Sequence, residues 1–312
     1  MHASALCTWQ QEAYQNVVLA KKAQRLGHAL LITGLHGIGQ SQVAQEVALF
    51  LVTEGLDAGW TERAQRQAAA QSNPDLLTIS RIPTAAGDKL RQEITVEQIR
   101  ELRQCLALTA HYGDTRVAVI DPADAMNIAA NNALLKTLEE PLPNRYICLV
   151  TDLPSRLPAT IRSRCQRFDV HPPSQEVALN WLQEQGYDAM IARNALDAAC
   201  GHPMRAYAYL QSNGVELRKS VFDALHQLAR GGLYAGDLVA KWEDNLDQRL
   251  IHAADFVRTL AEQYWSHSEY VLELSDWFDA VNALRANLTT SIRVDLGLLE
   301  LFVAWQSMRH FF

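Results

Sequence analysis

The segment between residues 34 and 41 has the residue types and spacing of a loop that binds phosphate. Glycines in such a loop let backbone N–H groups curl around an anion at a helix N-terminus. The segment fits the pattern G-x-x-x-x-G-K-[ST] at every position except the lysine. It reads Gly34-Leu35-His36-Gly37-Ile38-Gly39-Gln40-Ser41.

Gln40 stands in the lysine position and changes what the loop can do. A glutamine offers hydrogen bonds but no charge to neutralise the β- and γ-phosphates. Charge-assisted hydrogen bonds are roughly twice as strong as neutral ones, so we expect no tightly bound cofactor here. A glycine-rich turn without a ligand and weak residual phosphate binding are the two alternatives. The degenerate nucleotide site comprises Gly34, Gly37, Gly39, Gln40, Ser41 and Asp121.

A second element of this site has also lost a functional residue. An ATP-hydrolysing site of this kind needs an aspartate at a strand end for Mg²⁺, commonly followed by a glutamate that polarises water. Asp121 stands in the metal position, and Pro122 follows it. A proline can do no acid–base work. The two losses, at Gln40 and at Pro122, argue together against an autonomous ATPase.

The segment Ile161-Arg162-Ser163-Arg164-Cys165 concentrates arginine downstream of the defective loop. A chain with a broken nucleotide site and such a segment can act on a nucleotide that it does not bind, by lending a guanidinium to a neighbouring subunit. The alternative for Arg164 is a surface salt bridge, and Arg162 either supports the same site or faces solvent. Cys165 is predicted to be a small packing residue, because no histidine or metal-ligand pattern surrounds it.

These segments need strands and helices to position them, and the first half of the chain alternates the two. Asn127 suits the N-cap of a helix that stops before Pro141. Such alternation implies a mostly parallel sheet with helices on both faces. After Pro173 the strand signals disappear and the chain is predicted to be helical. The predicted strands are 29–33, 76–79, 117–121, 146–150 and 167–170.

Composition narrows the class of protein. At 312 residues the chain is too long for one ordinary core, and 48% hydrophobic with 20% charged residues describes a soluble globular protein. A net charge of −7 argues against binding nucleic acid by bulk attraction. It does not exclude a local basic strip that follows a phosphate backbone inside a complex. We expect no signal peptide and no membrane span. The five cysteines are scattered, which fits a reducing cytoplasm.

Several motifs occur in a fixed order along the chain and together resemble one family. They are the phosphate loop, Asn73-Pro74-Asp75, Ile120-Asp121, Asn132-Ala133-Leu134-Leu135-Lys136-Thr137-Leu138-Glu139-Glu140-Pro141 and Ile161-Arg162-Ser163-Arg164-Cys165. The chain resembles the AAA+ subunits of the bacterial DNA polymerase III clamp loader, and among them most of all the delta-prime subunits. The resemblance covers about residues 8–212, and it reaches the C-terminal helices only by position and composition.

The resemblance implies a role for the arginine-rich segment. Ser163, Arg164 and Cys165 match the Ser-Arg-Cys motif of the family, so Arg164 would act in trans as an arginine finger. The ATP and Mg²⁺ on which it acts would be held by the neighbouring ATPase subunit. Such fingers are worth about 10³–10⁵ in rate. The chain would have no ATPase of its own, as one component of the DNA polymerase III holoenzyme, a DNA-directed DNA polymerase and nucleotidyltransferase.

The resemblance also implies partners and a domain plan. The partners would be the gamma/tau ATPase subunits, the delta subunit, the sliding clamp through a weak or indirect contact, and primed DNA inside the complex. We expect an AAA+ module at 1–170, a helical lid at 171–212 and an all-α collar at 213–312. An autonomous P-loop ATPase and an AAA+ adaptor outside replication are the competing hypotheses.

Two further expectations concern DNA and metal. Arg100 and Arg103 lie on a helix predicted to begin near Thr95, and the resemblance makes them candidates for DNA-phosphate contacts. A solvated helix face is the equal alternative for each. Many relatives carry four zinc-binding cysteines before the Asn-Pro-Asp motif, but residues 52–75 contain none. Structural zinc needs thiolate or imidazole ligands, so no metal is predicted.

Overall fold

A computed structural model describes residues 6–83, 91–242, 244–288, 293–308 and 311. Five strands pair in parallel into one sheet, with the order β2-β3-β4-β1-β5. Each strand coincides with a predicted one to within a residue or two, which confirms the predicted parallel α/β fold. The strands are β1 Ala29–Gly34, β2 Leu76–Ile79, β3 Arg116–Ile120, β4 Arg145–Thr151 and β5 Gln166–Val170.

Helices connect the strands and make up the rest of the described chain. As predicted, only helices follow β5 there. The α-helices are α1 Thr8–Lys22, α2 Gln40–Thr53, α3 Ala58–Ala69, α4 Val96–Ala107, α5 Ile128–Glu139, α6 Ala159–Arg162, α7 Gln175–Glu184, α8 Ala189–Ala198, α9 Pro203–Gln211, α10 Gly214–Ala229, α11 Ala235–Lys241, α12 Leu246–Gln263, α13 Ser268–Ala286 and α14 Val294–Ser307. Within the described ranges, none of them is long and apolar enough to cross a membrane.

The chain divides into two compact units. One comprises Met1–Gln185 with His202–Met204, and the other comprises Gly186–Gly201 with Arg205–Phe312. The first unit contains the whole sheet, and the second is helical. The division falls inside the predicted lid, and the proposed three-domain plan stays a prediction.

In the first unit, both faces of the sheet are buried under helices. Successive side chains of a strand point to opposite faces, so neighbouring residues of one strand pack in different clusters. Leu30 and Ile32 of β1 pack in the cluster that includes α1 and α2. Leu31, between them, packs in the cluster that includes α4 and α5. Burial on both sides explains why these strands read as continuous apolar runs. The sheet thereby fixes the loops at its carboxyl edge, where β1 and β3 end.

In the second unit, tryptophans are anchored in the core by hydrogen bonds. Trp277 donates from Nε1 to the carbonyl of Leu301 at 2.8 Å, and Trp305 donates to the carbonyl of Leu225 at 3.0 Å. Buried indole N–H groups usually find such partners. These bonds tie α14 to α13 and to α10.

Candidate functional site

The phosphate-loop segment joins β1 to α2, as predicted. Gly39 is the N-cap of α2 and has a φ of 93°, a conformation that glycine adopts without steric cost. A Cβ atom at this position would lie 2.0 Å from the Gln10 side-chain nitrogen. The loop therefore requires glycine here both for its backbone conformation and for the close approach of α1.

The side chain of Gln40 turns back into the loop. Its Nε2 donates to the carbonyl oxygens of Gly34 at 2.8 Å and Leu35 at 3.0 Å, and the residue is only 7% exposed. A primary amide has two N–H donors, and these two bonds use both. At the lysine position, the loop thus presents no free donor and no positive charge to a phosphate group.

Other parts of the first unit hold the carbonyl groups of the same loop. Trp9 and Gln10 of α1 donate from their side chains to the carbonyl of Ile38, at 2.9 Å and 3.0 Å. The backbone N–H of Met204 donates to the carbonyl of Gly37 at 3.2 Å. The loop is therefore a fixed connection within this unit.

The metal position of the nucleotide site is occupied by Asp121, directly after β3. The pKa of its carboxyl group is raised, chiefly by burial and also by the nearby carboxylates of Asp124 and Asp152. A hydrogen bond from the Ser41 hydroxyl opposes this shift. Ser41 and Asp121 therefore meet as the sequence pattern predicts. Pro122 follows in the position where an active site would carry its glutamate.

Two further carboxylates lie next to this site at the carboxyl edge of the sheet. Asp124 accepts a hydrogen bond from the Thr151 hydroxyl at 2.5 Å. Asp152, just after β4, lies 2.7 Å from Nδ1 of His36, and this bond lowers its pKa. Three carboxylates and no lysine make the site electrostatically unfavourable for a polyphosphate.

The Ser163-Arg164-Cys165 segment links α6 to β5. Buried Ile161 anchors the short helix, and the Ser163 hydroxyl donates to the carbonyl of Thr160 at 3.2 Å. Cys165 packs against the apolar cluster beside α4 and α5. Burial raises its pKa to about 11, so the thiol stays protonated near neutral pH, which supports a packing role over a nucleophilic one.

Arg164 lies at the surface, and both Nη atoms of its guanidinium are hydrogen-bonded. Nη1 donates to the carbonyl of Thr160 at 2.8 Å, and Nη2 donates to Oε1 of Glu139 at 2.7 Å. The Arg164 side chain is 36% exposed. The surface salt bridge considered for this residue thus exists, and its partner Glu139 ends α5.

Arg100 and Arg103 of α4 line one groove of about 900 Å³, together with Lys136 and Arg145. The first three make no ion pair with any residue in the described ranges. Arg145 donates to the backbone carbonyls of Leu106, Leu108 and Asp114, so it shapes the groove. Glu139 and Glu140 also line this groove, so the candidate DNA contacts lie on a surface with more cationic than acidic side chains, in a chain of negative net charge.

The sequence alone did not identify Lys136 and Arg145 as residues of this groove, although Lys136 lies in a recognised motif. Lys136 belongs to the motif at 132–141 and lies on the same helix as Glu139. Arg145 opens β4 and carries no pattern of its own. Its position on the groove follows from pairing between β3 and β4, which a single sequence does not display.

The Asn73-Pro74-Asp75 motif is structural. Asp75 is fully buried and accepts hydrogen bonds from Nε of Arg116 at 3.1 Å and from the backbone N–H groups of His111 and Tyr112. Asn73 donates to the carbonyl of Ala64 at 3.0 Å. The motif therefore joins α3, the segment before β3 and β3 itself.

Metal binding was not expected in the segment 52–75. Across the described part of the chain, no group of three or more His, Cys, Asp or Glu side chains could hold a metal ion. The absence of structural zinc stays a prediction.

The family model and three similar relatives are subunits of bacterial DNA polymerase III. The family model described as "DNA polymerase III, delta subunit" matches residues 9–174. The Escherichia coli K12 protein named DNA polymerase III subunit delta' is 30% identical over 248 residues, which cover 78% of this chain and 72% of that protein. The Pseudomonas aeruginosa subunit delta' is 32% identical over 240 residues, 75% of this chain and 70% of that one. The Bacillus subtilis subunit tau is 34% identical over 157 residues, 50% of this chain and 26% of that protein.

Proposed function

Because this chain belongs to the family of delta' subunits of bacterial DNA polymerase III, we propose that it is the clamp-loader subunit without an ATPase of its own. It completes the ring that opens the sliding clamp and places it on primed DNA. Its Arg164 acts in trans on ATP held by a neighbouring subunit. One observation carries the proposal, namely that the arginine-rich segment is intact and exposed while the nucleotide site has lost both its lysine and its glutamate.

The geometry of Arg164 supports a role in trans. A guanidinium has five N–H donors in a planar fork, and among the described residues only Thr160 and Glu139 accept from Arg164, one donor each. The remaining donors can stabilise charge that develops on a phosphoryl group outside the chain. A neighbouring subunit of the gamma/tau type is the partner that the proposal requires.

The cationic groove supports a contact with primed DNA. Arg100, Arg103 and Lys136 line it without ion-pair partners in the described ranges. Such groups bind phosphates without regard to sequence, and counterions released on binding make the affinity fall with salt. We propose that this surface contacts the DNA backbone only within the assembled complex, because the chain as a whole is acidic.

The helical second unit supports assembly. Leu296, Leu299 and Val303 follow one another at helical spacing on α14, and each is at least 38% exposed. An exposed apolar stripe of this kind marks a surface for protein contact. We propose that it packs against the corresponding helices of the gamma/tau and delta subunits, while contact with the sliding clamp is weak or indirect.

Reconstitution tests the proposal. Gamma or tau, delta and the sliding clamp are mixed with primed DNA and ATP, with and without this chain, and clamp loading is measured. The proposal predicts loading only when the chain is present. Equal loading without it would overturn the proposal, and copurification with proteins outside replication would support the AAA+ adaptor hypothesis instead.

A further inference from the structure

We propose that Glu139 is a positioning residue for Arg164, and this inference rests on the proposed function. Glu139 accepts a hydrogen bond from Nη2 of Arg164 at 2.7 Å, while the carbonyl of Thr160 accepts one from Nη1 at 2.8 Å. The two acceptors therefore engage both Nη atoms of the guanidinium. They fix its plane and leave its other donors available to a phosphoryl group.

The two ends of this contact are held by separate, rigid elements. Glu139 is the last residue of α5, which begins at the N-cap Asn127 and is anchored by buried Leu134 and Leu138. Arg164 follows α6, whose Ile161 is fully buried. Residues 25 positions apart in the sequence therefore meet in a fixed geometry.

The contact is more useful for orientation than for stability. Both side chains are well exposed, 36% for Arg164 and 49% for Glu139, and exposed ion pairs contribute little to folding. A free arginine must lose rotamer freedom when it engages a ligand, which weakens binding. A guanidinium already held by two hydrogen bonds loses less of that freedom at the transition state.

Glu140 provides a matched control. It follows Glu139 in the same motif, lines the same groove and is exposed, but it forms no ion pair with a residue in the described ranges. Glu139→Ala and Glu140→Ala remove the same charge from neighbouring positions. A difference between them therefore reports the contact with Arg164 and not the change in net charge.

The test uses the complete reconstituted complex, with kcat and KM for DNA-dependent ATP hydrolysis as readouts. Glu139→Ala should lower kcat about two- to five-fold with little change in KM, the size expected for an exposed ion pair. Glu139→Gln keeps an acceptor for Nη2 and should restore most of the rate. Glu140→Ala measures the effect of removing one negative charge from the groove, and Glu139→Ala should lower kcat further than Glu140→Ala does. In an Arg164→Ala background, Glu139→Ala should have no further effect.

Several outcomes would overturn the inference. These are an unchanged or raised kcat for Glu139→Ala, an equal loss for Glu140→Ala, or a full additional loss in the Arg164→Ala background. The same experiment separates a failure of the proposed arginine finger from a failure of the positioning role of Glu139. If Arg164→Ala itself leaves turnover unchanged, the finger in trans is wrong. If Arg164→Ala lowers turnover and Glu139→Ala does not, only the positioning role is wrong.

Discussion

The side-chain amide of Gln40 donates to the carbonyl of Gly34 at 2.8 Å, across the loop that would surround a phosphate group. The residue at the lysine position thus donates its hydrogen bonds to carbonyl oxygens of its own loop and does not extend toward a ligand. The carboxylates of Asp124 and Asp152 lie close enough to raise the pKa of Asp121, so this site has negative charge where a nucleotide needs positive charge, and it has no free side-chain donor at position 40.

Nucleotide binding by the isolated chain should be absent at low micromolar protein. Isothermal calorimetry with ATP and Mg²⁺ is expected to show no stoichiometric binding, and no hydrolysis should be measurable. Gln40→Lys alone should not create hydrolysis, because Pro122 still occupies the position of the catalytic glutamate. A gamma or tau subunit in the same assay is the positive control. Stoichiometric binding by the wild-type chain would contradict this account of the site.

Loss of the buried Asp75 carboxylate should strongly destabilise the first unit. Asp75→Ala leaves the guanidinium of Arg116, which is 7% exposed, without its counter-ion. Breaking a buried ion pair by removing one partner costs about 3–5 kcal/mol, and urea denaturation measures this loss. Asp57→Ala removes only the exposed N-cap of α3 and should cost about 0.5–2 kcal/mol. Equal losses for the two variants would contradict a structural role for the Asn-Pro-Asp motif.

Stability of the second unit should fall as the pH is lowered toward 4. His252 is 1% exposed, and its pKa is lowered from 6.5 to about 4, chiefly by burial and then by the charge of Arg218, with Asp255 opposing and Arg205 adding to the effect. A histidine with a depressed folded-state pKa is neutral when folded but takes up a proton when unfolded. Between pH 6.5 and 4, protonation of the unfolded state therefore lowers the free energy of unfolding by up to about 1.4 kcal/mol per pH unit.

The control for this prediction is His252→Gln, which removes the titrating ring. Its unfolding free energy should depend less steeply on pH than that of the wild type over the same range, when both are measured by urea denaturation. Parallel pH profiles for the two proteins would show that His252 does not titrate as proposed.

Much of the fold could be predicted because its signals are local. Parallel strands buried on both faces appear as continuous apolar runs, and Asn127 signals the start of α5 through its own side chain, which accepts from the N–H of Ala130. The contacts that define the site are not local. Glu139 meets Arg164, and Asp75 meets Arg116, only because the sheet and helices bring distant positions together.

The sequence also does not predict the direction in which a side chain points or the groups to which it bonds. A glutamine at position 40 predicts the loss of charge, but not that its amide bonds to Gly34 and Leu35. Similarly, Arg145 has no motif, and its bonds to three backbone carbonyls depend on how β4 lies beside the end of α4.

Arg164→Ala in the reconstituted complex tests the central claim most directly. The variant should fold normally, because an exposed arginine contributes little stability, and it should assemble, because assembly is expected to rest on the helical second unit. Arg164→Lys should rescue poorly, since an ammonium lacks the planar fork. Arg162→Ala removes a neighbouring exposed arginine and serves as the control.

The measurement is the rate of DNA-dependent ATP turnover and clamp loading at saturating ATP and primed DNA. The account predicts that Arg164→Ala lowers both rates relative to the wild type and lowers them more than Arg162→Ala does. Clamp loading at the wild-type rate by the complex carrying Arg164→Ala would contradict it.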